Sequence, residues 1–346
     1  MRGKRRNAPE LPDASAGTPE ERRERARQDF TFFRRAYFPH YCLVGGDSRL
    51  HEWLDTELPR MADAPEGVRL AIAAPRGEAK STFVSLFFVL WAVLTGRKHY
   101  ILIIADALEQ AASLLGAVKD ELEFNEALKR DFPGAGKGHV WNVGTVVTPG
   151  NVKIQALGAG KRMRGLRHGP HRPDLIVLDD LENDGNVDKP EQRDKLQSWL
   201  QKTVLNLGAA DGSMDVVYVG TLLHYDSVLA RTLRKPLWKA RTFRSILRWP
   251  DRMDLWDEWE SLLSSRGEAE ARRFYRQHRA KMEAGAEVSW PASRPLYRLM
   301  CLRAEDREAF DSEQQNDPLS ANEAPFNGCI TFWVDRSRDW LLFGAV

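Results

Sequence analysis

The apolar positions along the chain fall into two kinds of pattern. Four short runs, RLAIAA (69–74), HYILIIA (99–105), DLIVLDD (174–180) and DVVYVGT (215–221), are continuous rather than alternating, and rich in Val, Ile and Leu. Continuous runs predict strands buried on both faces, as in a parallel sheet covered by helices. Between them the spacing turns helical. STFVSLFFVLWAVL (81–94) is almost wholly apolar and stops before Gly96, a residue suited to ending a helix. Segment 107–129 has apolar residues at helical spacing, and 188–206 opens on Asp and Pro before running helically. A short amphipathic helix is predicted over 48–58, and extra strands or a hairpin over 140–158. Strands alternating with helices predict an α/β fold.

Beyond about residue 250 the pattern changes to charged helices, and the last stretch, CITFWVDRSRDWLLFGAV, predicts two strands. The organisation read from these shifts is a flexible basic arm over 1–26, helical near Glu20–Arg27, an α/β core over 27–250, a mostly helical stretch over 251–325, and the two strands over 326–346. Composition narrows the class. With 346 residues, 42% hydrophobic and 29% charged, the chain has the make-up of a globular protein of about two domains. Its net charge of +2 excludes a polycation, so any nucleic-acid surface must be a local patch. Cys42, Cys301 and Cys329 are scattered without metal-ligand spacing. The longest apolar stretch, Phe83 to Leu94, is too short to cross a bilayer, so no membrane partner is expected.

Candidate chemistry gathers at the strand ends. Ala74-Pro-Arg-Gly-Glu-Ala-Lys-Ser81 follows the first strand and opens the apolar helix. A phosphate loop needs GxxxxGK[ST], with backbone N–H groups and the helix N-terminus around the phosphates, Lys on the β- and γ-phosphates and a hydroxyl on Mg²⁺. Lys80 and Ser81 match, while Ala74 and Ala79 stand where glycines are usual. The alternative is a plain strand–turn–helix junction with an exposed lysine; the flanking strand and helix and the flexible Gly77 favour phosphate binding. Arg76 adds a charge that could reach a γ-phosphate or a neighbouring subunit. The third run ends in Asp179 and Asp180, a pattern in which the first carboxylate serves Mg²⁺ and the second orients and deprotonates an attacking water. Glu182 rivals Asp180 as that base. Thr221, ending the fourth run, is a candidate reporter of the γ-phosphate, or else a helix cap; His224 and Asp226 are weaker candidates. Residues 160–173 carry five Lys/Arg and no acid, and 227–250 carry seven Lys/Arg and no acid. Lys161, Arg162, Arg164 and Arg167 are candidates for nucleotide, DNA or inter-subunit contacts, or else belong to a charged surface loop.

Taken in order, APRGEAKST (74–82), RGLRHGPHRPDLIVLDDLEND (164–184), VGTLLHYDS (219–227) and EQQNDP (313–318), with the aromatic stretch and LHEW (50–53) before them, resemble the large subunit of a tailed-bacteriophage terminase, from about residue 30 to the end. That resemblance implies a P-loop NTPase of the ASCE, RecA-like type, with a parallel sheet flanked by helices, a small lid or linker subdomain, and an RNase H-like nuclease domain of which 326–346 would be only the start. It implies ATP and Mg²⁺ as cofactors. Pro75, Arg76, Gly77, Glu78, Ala79, Lys80, Ser81 and Thr82 would line the nucleotide, Ser81 and Asp179 would hold the metal, and Asp180 would stand where the family usually has Glu. Adenine contacts would come from upstream, where His51 and Trp53 lie. The implied activity is ATP hydrolysis driving double-stranded DNA into a procapsid, with cleavage of concatemeric DNA expected of a full-length protein but not of this stretch. The implied partners are DNA, the portal and procapsid, the small terminase subunit and a homo-oligomeric ring. The implied location is the cytoplasm of an infected bacterium, and transiently the portal vertex. Two other readings remain beside it, a helicase or other nucleic-acid-dependent P-loop NTPase and an inactive DNA-binding adaptor.

Overall fold

A computed structural model describes residues 16–42, 44–318, 330–335 and 340–345. Its centre is an eight-stranded sheet. In chain order the strands are β1 (Arg69–Ala73), β2 (Tyr100–Ala105), β3 (Val140–Trp141), β4 (Thr145–Val147), β5 (Lys153–Gly158), β6 (Leu175–Asp179), β7 (Asp215–Gly220) and β8 (Lys239–Thr242). The spatial order is β3-β4-β5-β2-β6-β7-β1-β8. From β5 to β8 every neighbouring pair is parallel, while β3 and β4 add an antiparallel edge. The fold is thus α/β, with the four apolar runs as its four central strands. Segment 140–158 resolves into the edge pair β3–β4 and a full parallel member, β5.

Successive residues of the central strands feed two different cores. Leu70, Ile72, Ile101, Ile103, Leu175, Val177, Val217 and Val219 pack on one face. Ala71, Ala73, Leu102, Ile104, Ile176, Leu178, Val216 and Tyr218 pack on the other. That double burial is why the runs are continuous rather than alternating. On the first face lies the helix after β1, with π-helical turns over Thr82–Phe88 continued by an α-helix over Val89–Leu94. Its residues Phe83 to Val93 are all buried, as an all-round apolar helix requires. Helices Arg49–Ala62 and Leu108–Phe124 share that face, while Pro190–Lys202 and Val228–Leu233 bring apolar residues to the other.

The segment read as a flexible arm differs from expectation over its described part. Residues Pro19–Gln28 form a helix opened by a Thr18/Glu21 capping box. It is docked: Ala26 is buried and its carbonyl accepts the Trp91 indole N–H at 2.8 Å. Arg22 is buried against Asp131, whose carboxylate also accepts from Tyr37 Oη at 2.9 Å and Arg130 Nε at 2.9 Å. A helix held by these two buried polar contacts does not float free. Residues 1–15, and with them the rest of the arm, lie outside the described residues. Burial pushes the Asp131 carboxyl up, but hydrogen bonds from Arg22, Arg130 and Tyr37, with the charge of Arg130, outweigh it and hold the group well below the usual range. Its contribution is therefore present above the usual carboxylate range and lost as pH falls towards the folded value. Asp131→Ala is expected to lower unfolding stability by about 3 kcal/mol in urea titrations at pH 7, with the difference shrinking in strong acid.

After β8 a separate core begins. Helices Met253–Arg266, Glu268–Met282, Leu296–Glu305 and Arg307–Gln315 enclose Trp256, Trp259, Tyr275, Leu299, Met300 and Phe310. Ile246, on the short strand β9 (Ile246–Arg248), already belongs to it, and β9 pairs antiparallel with β10 (Glu287–Val288). Two further strands, β11 (Ile330–Asp335) and β12 (Trp340–Ala345), form an antiparallel pair, as expected for the final stretch. Among the described residues no helix is long and apolar enough to cross a membrane.

Candidate active site at the ends of three central strands

β1, β7 and β6 are neighbours, and their C-terminal ends bring together the loop 74–81, Thr221 and the Asp179–Asp180 pair. Parallel strands make this possible, because all of them end on the same edge. Lys80 sits at the centre and is 6% exposed. Its Nζ donates to Thr221 Oγ1 at 3.1 Å and pairs with Asp180 Oδ2 at 3.2 Å. The Thr221 hydroxyl in turn donates to the carbonyl of Ala74 at 3.1 Å, tying the strand end to the start of the loop.

Asp179 is fully buried beneath the loop. It accepts the Ser81 hydroxyl at 2.9 Å and also the Ser85 hydroxyl. Burial, then the charge of Asp180, pushes its carboxyl up from the ordinary range; the two serines and Lys80 pull the other way. Asp180 leaves the strand in the left-handed region, with φ of 46°, a conformation that Asp tolerates better than most side chains. That turn separates the two adjacent carboxylates, sending one to the serines and the other to the lysine.

Glu182 stands apart from this cluster. Its carboxylate accepts the backbone N–H groups of Val228 at 2.7 Å and Leu229 at 3.0 Å, and the Tyr218 hydroxyl at 3.2 Å. Burial raises its pKa, and those backbone bonds oppose the rise. A carboxylate so occupied has little freedom to take up another partner.

The loop takes two left-handed turns, only one of them at a glycine. Gly77 has φ of 77° and Ala79 φ of 55°. A non-glycine held there costs roughly 1–2 kcal/mol. Ala79→Gly is expected to raise the thermal midpoint slightly, and Ala79→Val, β-branched, to lower it by several degrees; melting curves read both. Ala79 thus adopts a left-handed bend of the kind glycine usually supplies.

Other sequence candidates lie elsewhere. Arg76 is not aimed at Lys80. It turns to the helical unit, pairing through Nη1 with Glu313 Oε1 at 2.6 Å while its backbone N–H donates to the Glu313 carbonyl at 2.9 Å. Glu78 is 1% exposed, and burial raises its carboxyl. His51 is buried, stacks on Phe83 with centroids 4.2 Å apart, meets Trp290 edge-on at 4.8 Å, and bonds the Glu78 carbonyl at 2.9 Å. Its ring supports the loop from behind and leaves little face for a base. Trp53 meets Phe243 edge-on at 5.6 Å beside an open cleft that Arg241 and Arg244 also line. His224 stacks on Tyr225, and Asp226 is taken by Arg193 and Arg231, so both are structural. Pro75 is buried and Thr82 begins the π-helical turns. Lys161, Arg162, Arg164 and Arg167 are exposed between β5 and β6, anchored by buried Met163, and form no ion pair among the described residues.

Sequence reasoning missed Ser85, although a hydroxyl inside an apolar helix four residues after Ser81 was a visible signal. It also missed a group from the helical unit. Asn316, left-handed at φ of 50°, accepts the Leu222 N–H at 2.9 Å and donates to the Phe243 carbonyl at 2.8 Å. Residues 313–316 thus touch both the loop and the segment just beyond Thr221.

The cluster offers a lysine ammonium, hydroxyls and two carboxylates within a few ångströms, at the start of a helix. That set suits a polyanion with a divalent cation. Among the described residues no group of three or more His, Cys, Asp or Glu forms a metal cage; Mg²⁺ needs none, since one or two carboxylates, waters and phosphates suffice.

No family model matches the chain, and no curated protein matches it. Several solved structures align with it, among them two forms of one domain. One is the large terminase ATPase domain of Thermus phage P74-26, 15% identical with a TM-score of 0.37, covering 76% of this chain and 92% of that one. The other is a point mutant of the same domain, 14% identical with a TM-score of 0.37, covering 74% and 90%.

Proposed function

We propose that this chain is a Mg²⁺-dependent ATPase of the P-loop type, working as the motor part of a phage terminase large subunit. The observation that carries the ATPase reading is Lys80, held between Thr221 and Asp180 above a Ser81–Asp179 hydrogen bond. The order of sequence motifs carries the terminase reading. The residues fit Mg²⁺, since Ser81 and Asp179 present hard oxygen donors to one point. When bound, that ion would supply charge neutralisation between the phosphates.

The chain's own groups do the rest. Backbone N–H groups of 77–81 bind the phosphates at the start of the following helix. Phosphate oxygens compete with Asp180 and Thr221 for the Lys80 ammonium. Its departure leaves the Asp180 carboxylate free to take the proton of an attacking water in an in-line displacement. Thr221, relieved of Lys80, transmits the state of the site through Leu222 to Asn316 of the helical unit. Exposed Lys161, Arg162, Arg164 and Arg167 serve double-stranded DNA or a neighbouring subunit, without base readout. The portal and procapsid, the small terminase subunit and a ring of copies are the partners this reading requires, in the host cytoplasm.

The test is ATP turnover with Mg²⁺, with and without double-stranded DNA. Turnover that rises with duplex DNA is the expected result. Turnover raised equally by single strands, with unwinding of duplex, would replace packaging by a helicase activity. Failure to bind ATP at all would leave only the adaptor.

A further inference from the structure

The loop's own arginine is engaged by Glu313, yet a second arginine reaches the loop from the helical unit. Arg294 Nη2 lies 1.9 Å from where a Cβ on Gly77 would be, so the guanidinium fills the space that a side chain at position 77 would need. Its Nη1 donates to Gln314 Oε1, and that amide oxygen also accepts the Ser245 hydroxyl at 3.1 Å. Its backbone N–H is fixed to the Trp290 carbonyl at 2.8 Å. One edge of the guanidinium is therefore held, and the other rests on the loop.

Arg294 is also short of counter-charge. Among the described residues no carboxylate comes within 4.0 Å of it, whereas Arg76, a few ångströms along the loop, has Glu313 at 2.6 Å. Partial burial weakens its hold on its proton, and the charges of Glu78 and Glu313, neither within ion-pair distance, only partly restore it. Arg298 nearby adds a like charge. A half-buried guanidinium with spare donors and no carboxylate is poised for an anion with several oxygens.

We propose that Arg294 is a second phosphate-binding residue, reaching across Gly77 from the helical unit to the β- or γ-phosphate of the nucleotide. This rests on the P-loop reading of residues 74–81. It also gives Gly77 a reason beyond its backbone angle: a larger residue there would push the guanidinium away. Binding a nucleotide with two or more phosphates would then draw the helical unit onto the loop, while a monophosphate, too short to reach, would not.

The test uses the full chain and calorimetric titration with Mg²⁺-ATP, Mg²⁺-ADP and AMP, on wild type, Arg294→Ala, Arg294→Lys and Lys80→Ala. Charge-assisted hydrogen bonds of this kind set the scale. Arg294→Ala is expected to weaken ATP binding about ten- to a hundredfold and leave AMP binding unchanged, with Arg294→Lys recovering part of the loss. Should Arg294→Ala fail to fold, Arg294→Gln, which keeps the stem and two donors, takes its place with the same expectation. ATP binding equal to wild type in a folded Arg294 variant, with Lys80→Ala impaired, overturns the role of Arg294 and leaves the loop reading intact. Equal loss for ATP and AMP also overturns it, marking a structural role. ATP binding unaffected by Lys80→Ala overturns the loop reading itself, and the proposal with it.

Discussion

Replacing Lys80 by alanine is expected to reduce ATP turnover by at least about a hundredfold, the scale seen when one preorganised charge-stabilising group is removed. The ammonium is almost wholly buried and is the nearest cation to both Asp180 and Thr221. Its loss takes away the charge that would balance the phosphates. It also leaves Asp179 and Asp180 next to each other with less compensation, so the folded protein itself should melt earlier. Thermal melts run beside the assay separate the two effects, because turnover is then expressed per folded molecule. A folded Lys80→Ala protein turning over within a few-fold of wild type would remove this loop from the reaction.

Asp180→Asn should separate binding from chemistry. The amide keeps the size of the side chain and can still meet the substrate's water, but it cannot take a proton. ATP affinity is expected to stay near wild type or tighten, because Lys80 loses a competing carboxylate. The hydrolytic step is expected to fall by roughly 10²–10⁴, the usual contribution of a positioned base. Single-turnover assays give the step directly. Glu182→Gln is the informative partner. Its carboxylate takes two backbone N–H groups and the Tyr218 hydroxyl, so its loss should cost about 1–3 kcal/mol of stability with little change in turnover per folded molecule. The reverse pattern, a slow Glu182→Gln and an active Asp180→Asn, would move the base to Glu182.

Arg76 and Arg294 show how a residue singled out inside a motif can be engaged elsewhere once the chain folds. A cation within the loop is the natural candidate to meet phosphate, and Arg76 is the only one there besides Lys80. In the fold, Glu313 lies 237 positions later in the chain and still captures it (313 minus 76). Arg294 sits in a Ser-Arg-Pro turn with no motif around it. The same distance along the chain explains Asn316: EQQNDP was visible as a string, but its bonds to Leu222 and Phe243 were not.

Local pattern carried a great deal. Continuous apolar runs marked the four central strands because each is buried on both faces, a property of the strand's own residues. Asp179, Asp180, Lys80, Ser81 and Thr221 were legible for a related reason: each sits at a strand end or the first turn of a helix, and parallel topology gathers such ends on one edge. What the pattern left open turned on long-range competition for a few hydrogen bonds. Whether residues 19–28 are docked was decided by Asp131, whether Glu182 is free by the N–H groups of Val228 and Leu229, and which arginine faces the loop by Glu313 and Gln314. Each choice depends on a partner about twenty to more than two hundred residues away, and the energy of such a bond exists only once packing has excluded water from both ends.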